Sequence, residues 1–213
     1  MNRSVAQTSR IRCIRLGTMQ APPLEIERRF RILDPTVLPP LGAPARMMQC
    51  YLPHWKIEVR NGNLCFEESI LVAGLSIVEI RGIEDLFEAK FTPRIRLVGN
   101  RAFVTVKGPL VEGARVEWEW EVPTHSVEGL ANSFRFPYVL KHRHLIPIDD
   151  ELTWEVDIFE GENHGLVMAE IELPSFNHPY PRPDWLGPEV TLDGRFGNGA
   201  LAREPWIDLR EEF

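Results

Sequence analysis

Cysteine is scarce in this chain of 213 residues: Cys13, Cys50 and Cys65 are odd in number and have no C-x-x-C spacing. That excludes a disulfide framework and a thiolate zinc site, and it fits a reducing cytoplasm, the location expected here. Long apolar runs are missing as well. The longest candidate, 70–78, is broken by Gly74 and Ser76 and falls far short of the ~20 residues of a membrane span, so no membrane partner is expected. Positive charge is in deficit, with Lys and Arg at 24 against Asp and Glu at 31 and a net charge of −7. A surface that tracks nucleic-acid phosphates needs clustered cations, so a nucleic-acid polymer is not expected as partner. There is no internal repeat and no low-complexity tract. With 44% hydrophobic and 26% charged residues, the chain suffices for one sizeable core, and a single domain is expected.

The N-terminal stretch carries Arg3, Arg10, Arg12 and Arg15 without an apolar signal-peptide region, and Pro22 and Pro23 end it. Residues 1–20 read as a disordered tail; an organelle-targeting leader and a start of translation at Met19 stand as alternatives. The main domain is then 21–206, with a C-terminal tail at 207–213. From Leu24 onward the dominant period is two, the strand signal, over 24–32, 93–98, 102–107, 114–122, 153–159 and 167–173. Turn residues such as Gly99, Asn100 and Gly161 separate them. Two segments read as helices, 83–90 and 124–136, the latter with Thr124 as its N-cap. The stretch 179–205, rich in Pro and Gly, is expected to wrap the sheet as loop and short helix.

Residues two apart in a strand share a face, so each strand sorts into two rows. Glu25, Glu27 and Arg29 share one row, as do Arg94 and Arg96; Thr105 and Lys107; Arg115, Glu117, Glu119 and Glu121; Lys141 and Arg143; Glu155 and Asp157; and Glu170 and Glu172. The opposite rows are largely apolar, among them Ile95 and Leu97, Val104 and Val106, Trp118 and Trp120, and Val156 and Ile158. An ordinary half-exposed antiparallel sheet also alternates. These rows, however, are Glu, Asp, Arg and Lys almost throughout, and acids two apart repel unless a cation lies between them. Carboxylates are hard ligands suited to Mg²⁺ or Mn²⁺, and Arg and Lys suit phosphate oxygens. A closed barrel of about eight strands can turn such a face inward around a small ligand.

The residues resemble the CYTH superfamily of triphosphate tunnel metalloenzymes. Glu25-Ile26-Glu27-Arg28-Arg29 is similar to its opening ExExK, Gln49-Cys50-Tyr51-Leu52 to QGYL, Arg94-Ile95-Arg96 to RxR, and Thr105-Val106-Lys107 to TxK. Arg115-Val116-Glu117-Trp118-Glu119 resembles RxExE, Lys141-His142-Arg143 resembles KxR, and Asp157 to Gly161 and Ala169 to Glu172 resemble the closing DxFxG and ExE strands. Glu189, Val190, Thr191, Asp193, Arg195 and Asn198 are similar to the C-terminal EVTxDxRYxN of the bacterial inorganic-triphosphatase-like branch. Three departures stand out: Arg29 replaces Lys, Cys50 replaces Gly, and an insertion at about 53–91, with strand-like 55–59 and 71–80, lengthens the chain. The insertion is open to two readings, a cap on one tunnel mouth that narrows the substrate range, or a surface decoration.

The fold implied is α+β and mainly antiparallel β, a closed eight-stranded barrel with a few flanking helices. The resemblance implies a metal-dependent hydrolase that splits inorganic triphosphate into phosphate and pyrophosphate. Thiamine or nucleoside triphosphate hydrolysis, cyclisation of ATP, and non-catalytic polyphosphate binding stay open beside it. Arg29, Arg94, Arg96, Lys107, Arg115, Lys141 and Arg143 are the implied phosphate clamp. Glu25, Glu27, Glu170 and Glu172 form the first implied set for Mg²⁺ or Mn²⁺, with Glu117, Glu119 and Asp157 for a second ion or for orienting water. Lys141 and Tyr51 are the candidates for orienting the attacking water, Tyr51 being equally readable as a satisfied barrel tyrosine. His54, His125, His142, His144, His164 and His178 have no metal-ligand spacing and stay outside the site. Monomer and homodimer both stay open.

Overall fold

The computed structural model describes residues 23–212, so the Arg-rich stretch, Cys13 and Met19 lie outside the described residues. The strands are β1 (Leu24–Arg31), β2 (Ala45–Tyr51), β3 (Ile57–Arg60), β4 (Asn63–Phe66), β5 (Ser69–Val72), β6 (Thr92–Val98), β7 (Arg101–Lys107), β8 (Ala114–Val122), β9 (Tyr138–Pro147), β10 (Thr153–Phe159) and β11 (Val167–Glu172). The α-helices are α1 (Ile77–Phe87), α2 (Thr124–Ala131), α3 (Asn198–Leu201) and α4 (Trp206–Leu209). Eight strands close an antiparallel barrel in the order β1-β11-β10-β9-β2-β6-β7-β8, as the family resemblance implies, and β3, β4 and β5 form a separate sheet. Closure rests on β1, whose Leu24 to Ile26 pair with β8 and whose Glu27 to Arg31 pair with β11.

The apolar rows face outward, and each is covered. Ile95, Val104, Val106 and Trp118 pack beneath the inserted sheet, α1 and α2 through Leu64, Phe66, Ile83, Leu86 and Val127. Phe30, Trp154, Val156 and Ile171 pack beneath the wrapping C-terminal segment through Tyr180, Trp185 and Leu186. Gly187 is required there, because a Cβ on it would stand 2.5 Å from the Arg31 carbonyl oxygen. A third cluster closes one end of the barrel: Tyr51, Val139, Phe159 and Met168 meet Phe196, Leu201, Trp206 and Leu209. The segment 207–213 therefore begins inside α4, with Leu209 buried.

Two local expectations are corrected. The segment 71–80 is not one strand: β5 ends at Val72, Gly74 turns with φ +69°, and α1 starts at Ile77. A capping box drives the start, with Ser76 Oγ accepting from the Glu79 N–H at 3.3 Å and Glu79 Oε2 accepting from the Ser76 N–H at 2.7 Å. Helix α2 ends at Ala131 and its N-cap is Pro123; Thr124 instead donates its hydroxyl to the Asn100 carbonyl at 2.8 Å. Cys50 and Cys65 are free and buried. Among the described residues no helix is long and apolar enough to cross a membrane.

Candidate active site in the barrel lumen

Strand register links the charged rows into one inner surface. Lys107 pairs with Glu117, and Thr105 with both Glu119 and Arg94. Arg94 pairs with Tyr51, and Arg96 with Gln49. Arg143 pairs with Asp157, and Glu155 with Glu170. Arg29 pairs with Glu170, Glu27 with Glu172, and Glu25 with Arg115. Because pairing partners project to the same face, every sequence-predicted site residue lies on this lumen. Solvent access is graded along it: Glu172 is exposed at the open mouth, Glu119 and Glu155 are partly covered, and Lys141 and Asp157 are fully buried near the closed end.

The charges are knitted into ion pairs. Lys107 Nζ donates to both Glu25 oxygens at 3.1 Å and also meets Glu117. Arg115 donates from Nε to Glu25 at 2.7 Å and from Nη2 to Glu27 at 2.9 Å. Arg94 donates to Thr105 and Glu119 at 3.1 and 3.2 Å, and Arg96 to Glu119 at 2.6 Å. Arg143 grips Asp157 through two nitrogens at 2.7 and 2.5 Å, reaches Glu170 at 2.8 Å and also meets Glu155. Lys141 Nζ donates to Asp157 at 2.5 Å and to Asn198 Oδ1 at 3.3 Å. Arg29 donates from Nη2 to the Thr191 carbonyl at 2.8 Å, while its main-chain N–H goes to Thr191 Oγ1 at 3.0 Å. Among the described residues, the buried Nε–H groups of Arg29, Arg94 and Arg96 have no hydrogen-bond acceptor, Arg29 Nε lying 3.6 Å from Glu27 Oε1.

These surroundings split the carboxylates. Desolvation opposes charge on Glu170, yet Lys141, Arg143, Arg29 and Lys107 hold it down at about 2. Glu25 is likewise held well below the usual range, against its burial, by Lys107, a hydrogen bond with Glu117 and Arg115. Burial pushes Glu117 up to about 7, with Glu25 adding to the rise against the pull of Lys107. Enclosure by the barrel, followed by the carboxylates of Glu155, Glu25 and Glu117, pushes Glu172 up to about 8, although water in the lumen reaches its side chain. Lys141 is lowered, by burial first and Arg143 second.

The donor set bears on a metal ion. Glu27 and Glu172 stand directly opposite each other; Arg115 and Arg29 compensate Glu27, whereas no ion pair reaches Glu172 among the described residues. An uncompensated carboxylate among carboxylates, all hard oxygen donors, suits Mg²⁺ or Mn²⁺. Among the described residues no three acidic, His or Cys side chains already form a ligand cluster, because Glu25, Glu27, Glu117, Glu119, Asp157 and Glu170 are engaged with Arg and Lys. Asp157, locked between Lys141 and Arg143, serves as an anchor for those cations. Tyr51 and Lys141 are not joined: the Tyr51 hydroxyl donates to Gln49 Oε1 at 2.9 Å, and burial pushes the phenol up to about 12.

Several lumen residues have no site role in the sequence reading. Glu155 is on the charged row with Asp157 but is not among the candidate ligands, and Phe103 shares the parity of Thr105. Thr191 and Asn198 reach the lumen cations only through tertiary contact, which no local period announces. Trp118 and Trp120 lie outside the lumen, Trp120 donating Nε1–H to Glu79 at 2.7 Å.

A closed antiparallel barrel lined by opposed cations and carboxylates defines a tunnel protein of the triphosphate tunnel class. The crystal structure of an inorganic triphosphatase has the same fold, with a TM-score of 0.50 and 24% identity over 84% of this chain and 93% of that one. An inorganic triphosphatase of Acetivibrio thermocellus is 39% identical over 126 residues, 59% of this chain and 80% of the relative. One from Nitrosomonas europaea is 33% identical over 113 residues, 51% of this chain and 73% of the relative. No family model matches the chain. The chain belongs to the CYTH superfamily, in its inorganic triphosphatase branch.

Proposed function

We propose that this protein hydrolyses inorganic triphosphate to phosphate and pyrophosphate inside the barrel, with a divalent metal ion. The observation that carries the reading is the set of acceptor-less Nε–H groups on Arg29, Arg94 and Arg96, buried among lumen cations that also include Lys107, Lys141 and Arg143. Buried donors without partners are costly, and phosphate oxygens would satisfy them. Phosphoryl transfer depends chiefly on positioning and charge neutralisation, the capacities of such a surface. Arg29, Arg94, Lys141 and Arg143, all buried, would hold phosphoryl oxygens deep in the lumen, and Arg96 those nearer the mouth. A water oxygen then bonds to phosphorus as the P–O bond to the leaving pyrophosphate breaks, and one water proton is released. Mg²⁺ or Mn²⁺, held by Glu25, Glu27, Glu170 and Glu172, would neutralise phosphate charge and stabilise the leaving group.

The acids argue against a purely binding role, since a polyanion binder gains nothing from carboxylates beside its ligand. Among the described residues the lumen aromatics offer a nucleobase no open stacking face: Tyr51 and Phe159 are buried, and so is Phe103, with the Arg96 and Arg101 guanidinium carbons 4.8 and 4.9 Å from its ring centre. The buried free cysteines support a cytoplasmic location as part of this reading, and the charge of −7 supports a small-molecule substrate over a nucleic-acid polymer. Phosphate release from tripolyphosphate, ATP and thiamine triphosphate with Mg²⁺ or Mn²⁺, and cyclic AMP measured alongside, tests it. Tripolyphosphate should be the preferred substrate and chelation should abolish turnover. Full activity after exhaustive chelation, or preference for ATP, overturns the corresponding part.

A further inference from the structure

The closed end of the barrel is made by the chain's own C-terminal segment, and that segment touches the buried Lys141. Lys141 is on β9, fully enclosed, with its Nζ over the Phe159 ring at 5.5 Å. An ammonium has three N–H donors. One goes to Asp157 at 2.5 Å and one to the side-chain oxygen of Asn198, the first residue of α3, at 3.3 Å. The third has no acceptor among the described residues, and the lumen is where a phosphoryl oxygen would meet it. The support for Asn198 is itself pinned. Asn163 donates from Nδ2 to the Leu201 carbonyl at 3.1 Å and accepts the Trp206 N–H at 2.8 Å, tying the end of α3 to the start of α4. Phe196 and Leu201, on either side of Asn198, are buried in the cluster that closes the barrel.

The choice of a neutral amide has a chemical reason. A carboxylate at this place would add negative charge where a polyanion must sit. An apolar side chain would leave a buried N–H without an acceptor and free the amine to swing toward Asp157 or Glu170. Asn198 supplies an acceptor without charge.

We propose that Asn198 is a positioning residue, which holds Lys141 from the C-terminal segment so that the remaining N–H of Nζ is aimed at the phosphoryl group at the closed end of the tunnel. The inference rests on the triphosphatase reading above. The test uses the full chain with Mn²⁺ and tripolyphosphate, following kcat and KM separately. Asn198→Leu should lose kcat by about tenfold to a hundredfold, the scale of one hydrogen bond to a charged group, with KM changed much less. Asn198→Asp keeps the acceptor and adds charge, so it should raise KM by more than it lowers kcat. These opposite splits are not what general loosening of α3 produces. In a Lys141→Met background, whose residual rate is the reference, Asn198→Leu should change kcat less than twofold, because the amine it positions is gone.

Equal splits in the two Asn198 variants, or losses that multiply in the double variant, overturn the positioning role and leave the triphosphatase reading intact. If Asn198→Leu does not melt cooperatively near the parent temperature, the Asn198→Asp split decides. A parent protein with no tripolyphosphate hydrolysis overturns both.

Discussion

Arg29 is the residue at which this chain departs most sharply from its relatives' opening signature, and its surroundings show what the guanidinium does. One of its nitrogens is committed to the Thr191 carbonyl at 2.8 Å, while Nε is buried 3.6 Å from Glu27 and has no hydrogen-bond acceptor among the described residues. A forked donor can hold the C-terminal segment and a phosphate oxygen at once; a lysine amine in the same place has one nitrogen for both. Arg29→Lys should therefore retain substantial turnover of tripolyphosphate with a raised KM. Arg29→Ala should lose roughly one to three powers of ten in kcat/KM, the loss expected for a charged hydrogen bond worth about 1.5–3 kcal/mol or somewhat more in a dry site. Arg does not shed its proton in proteins, so no limb of the pH profile should move between the Arg and Lys forms. A far more active Arg29→Lys enzyme with a new basic limb would show that a proton is transferred at this position and defeat the clamp role. At this scale the parity rule placed all the named charges on one face. It said nothing of Thr191, separated from Arg29 by 162 residues, because a contact so distant in sequence leaves no periodic trace.

Strands with a charged row were easy to read because period two and charge marked the same residues; helix α1 was not, because its start mimics a strand. Ile77, Val78 and Ile80 are β-branched and follow β5 closely, which hid the Ser76-x-x-Glu79 capping box that decides the conformation. The helix seats against the outer face of β8 through a glycine: a Cβ on Gly82 would lie 2.6 Å from Cζ2 of Trp118, an indole only 4% exposed. Gly82→Ala gains up to about 1 kcal/mol of helix propensity, but overpacking against an immobile ring typically costs about 1–3 kcal/mol. The variant should melt below the parent with specific activity per folded molecule unchanged, since α1 contributes no lumen residue. Calorimetry alongside the phosphate-release assay checks this, and an unchanged or higher Tm would mean that the helix is not seated on Trp118 as described.

Across the whole molecule, the lumen matches acids with bases almost one for one, and this balance frames both stability and ligand binding. The alternation made a charged interior legible, yet not the closure, which depends on β1 dividing its pairing between β8 and β11. Glu172 at about 8 and Glu117 at about 7 are raised above the ordinary carboxylate value of 4.5. Each favours the folded state when protonated, so this contribution is complete below pH ~4.5 and fades as pH rises through about 7 to 8. Glu170 at about 2 has the opposite sign, stabilising above the ordinary carboxylate range and losing that effect only as pH falls toward 2. The metal-free protein should therefore lose stability between about pH 5 and 8.5. A divalent cation reverses the penalty by binding the ionised acids, so Mn²⁺ should raise Tm more at pH 8 than at pH 5, and replacing both Glu170 and Glu172 by Gln should remove most of that difference. Tripolyphosphate brings several negative charges into a lumen whose own cations are already matched. Metal and tripolyphosphate together should thus raise Tm by more than the sum of their separate effects, measured with Ca²⁺ replacing Mn²⁺ if turnover interferes. A metal shift of equal size at both pH values, or strictly additive shifts, would count against carboxylates of this lumen as the metal's ligands.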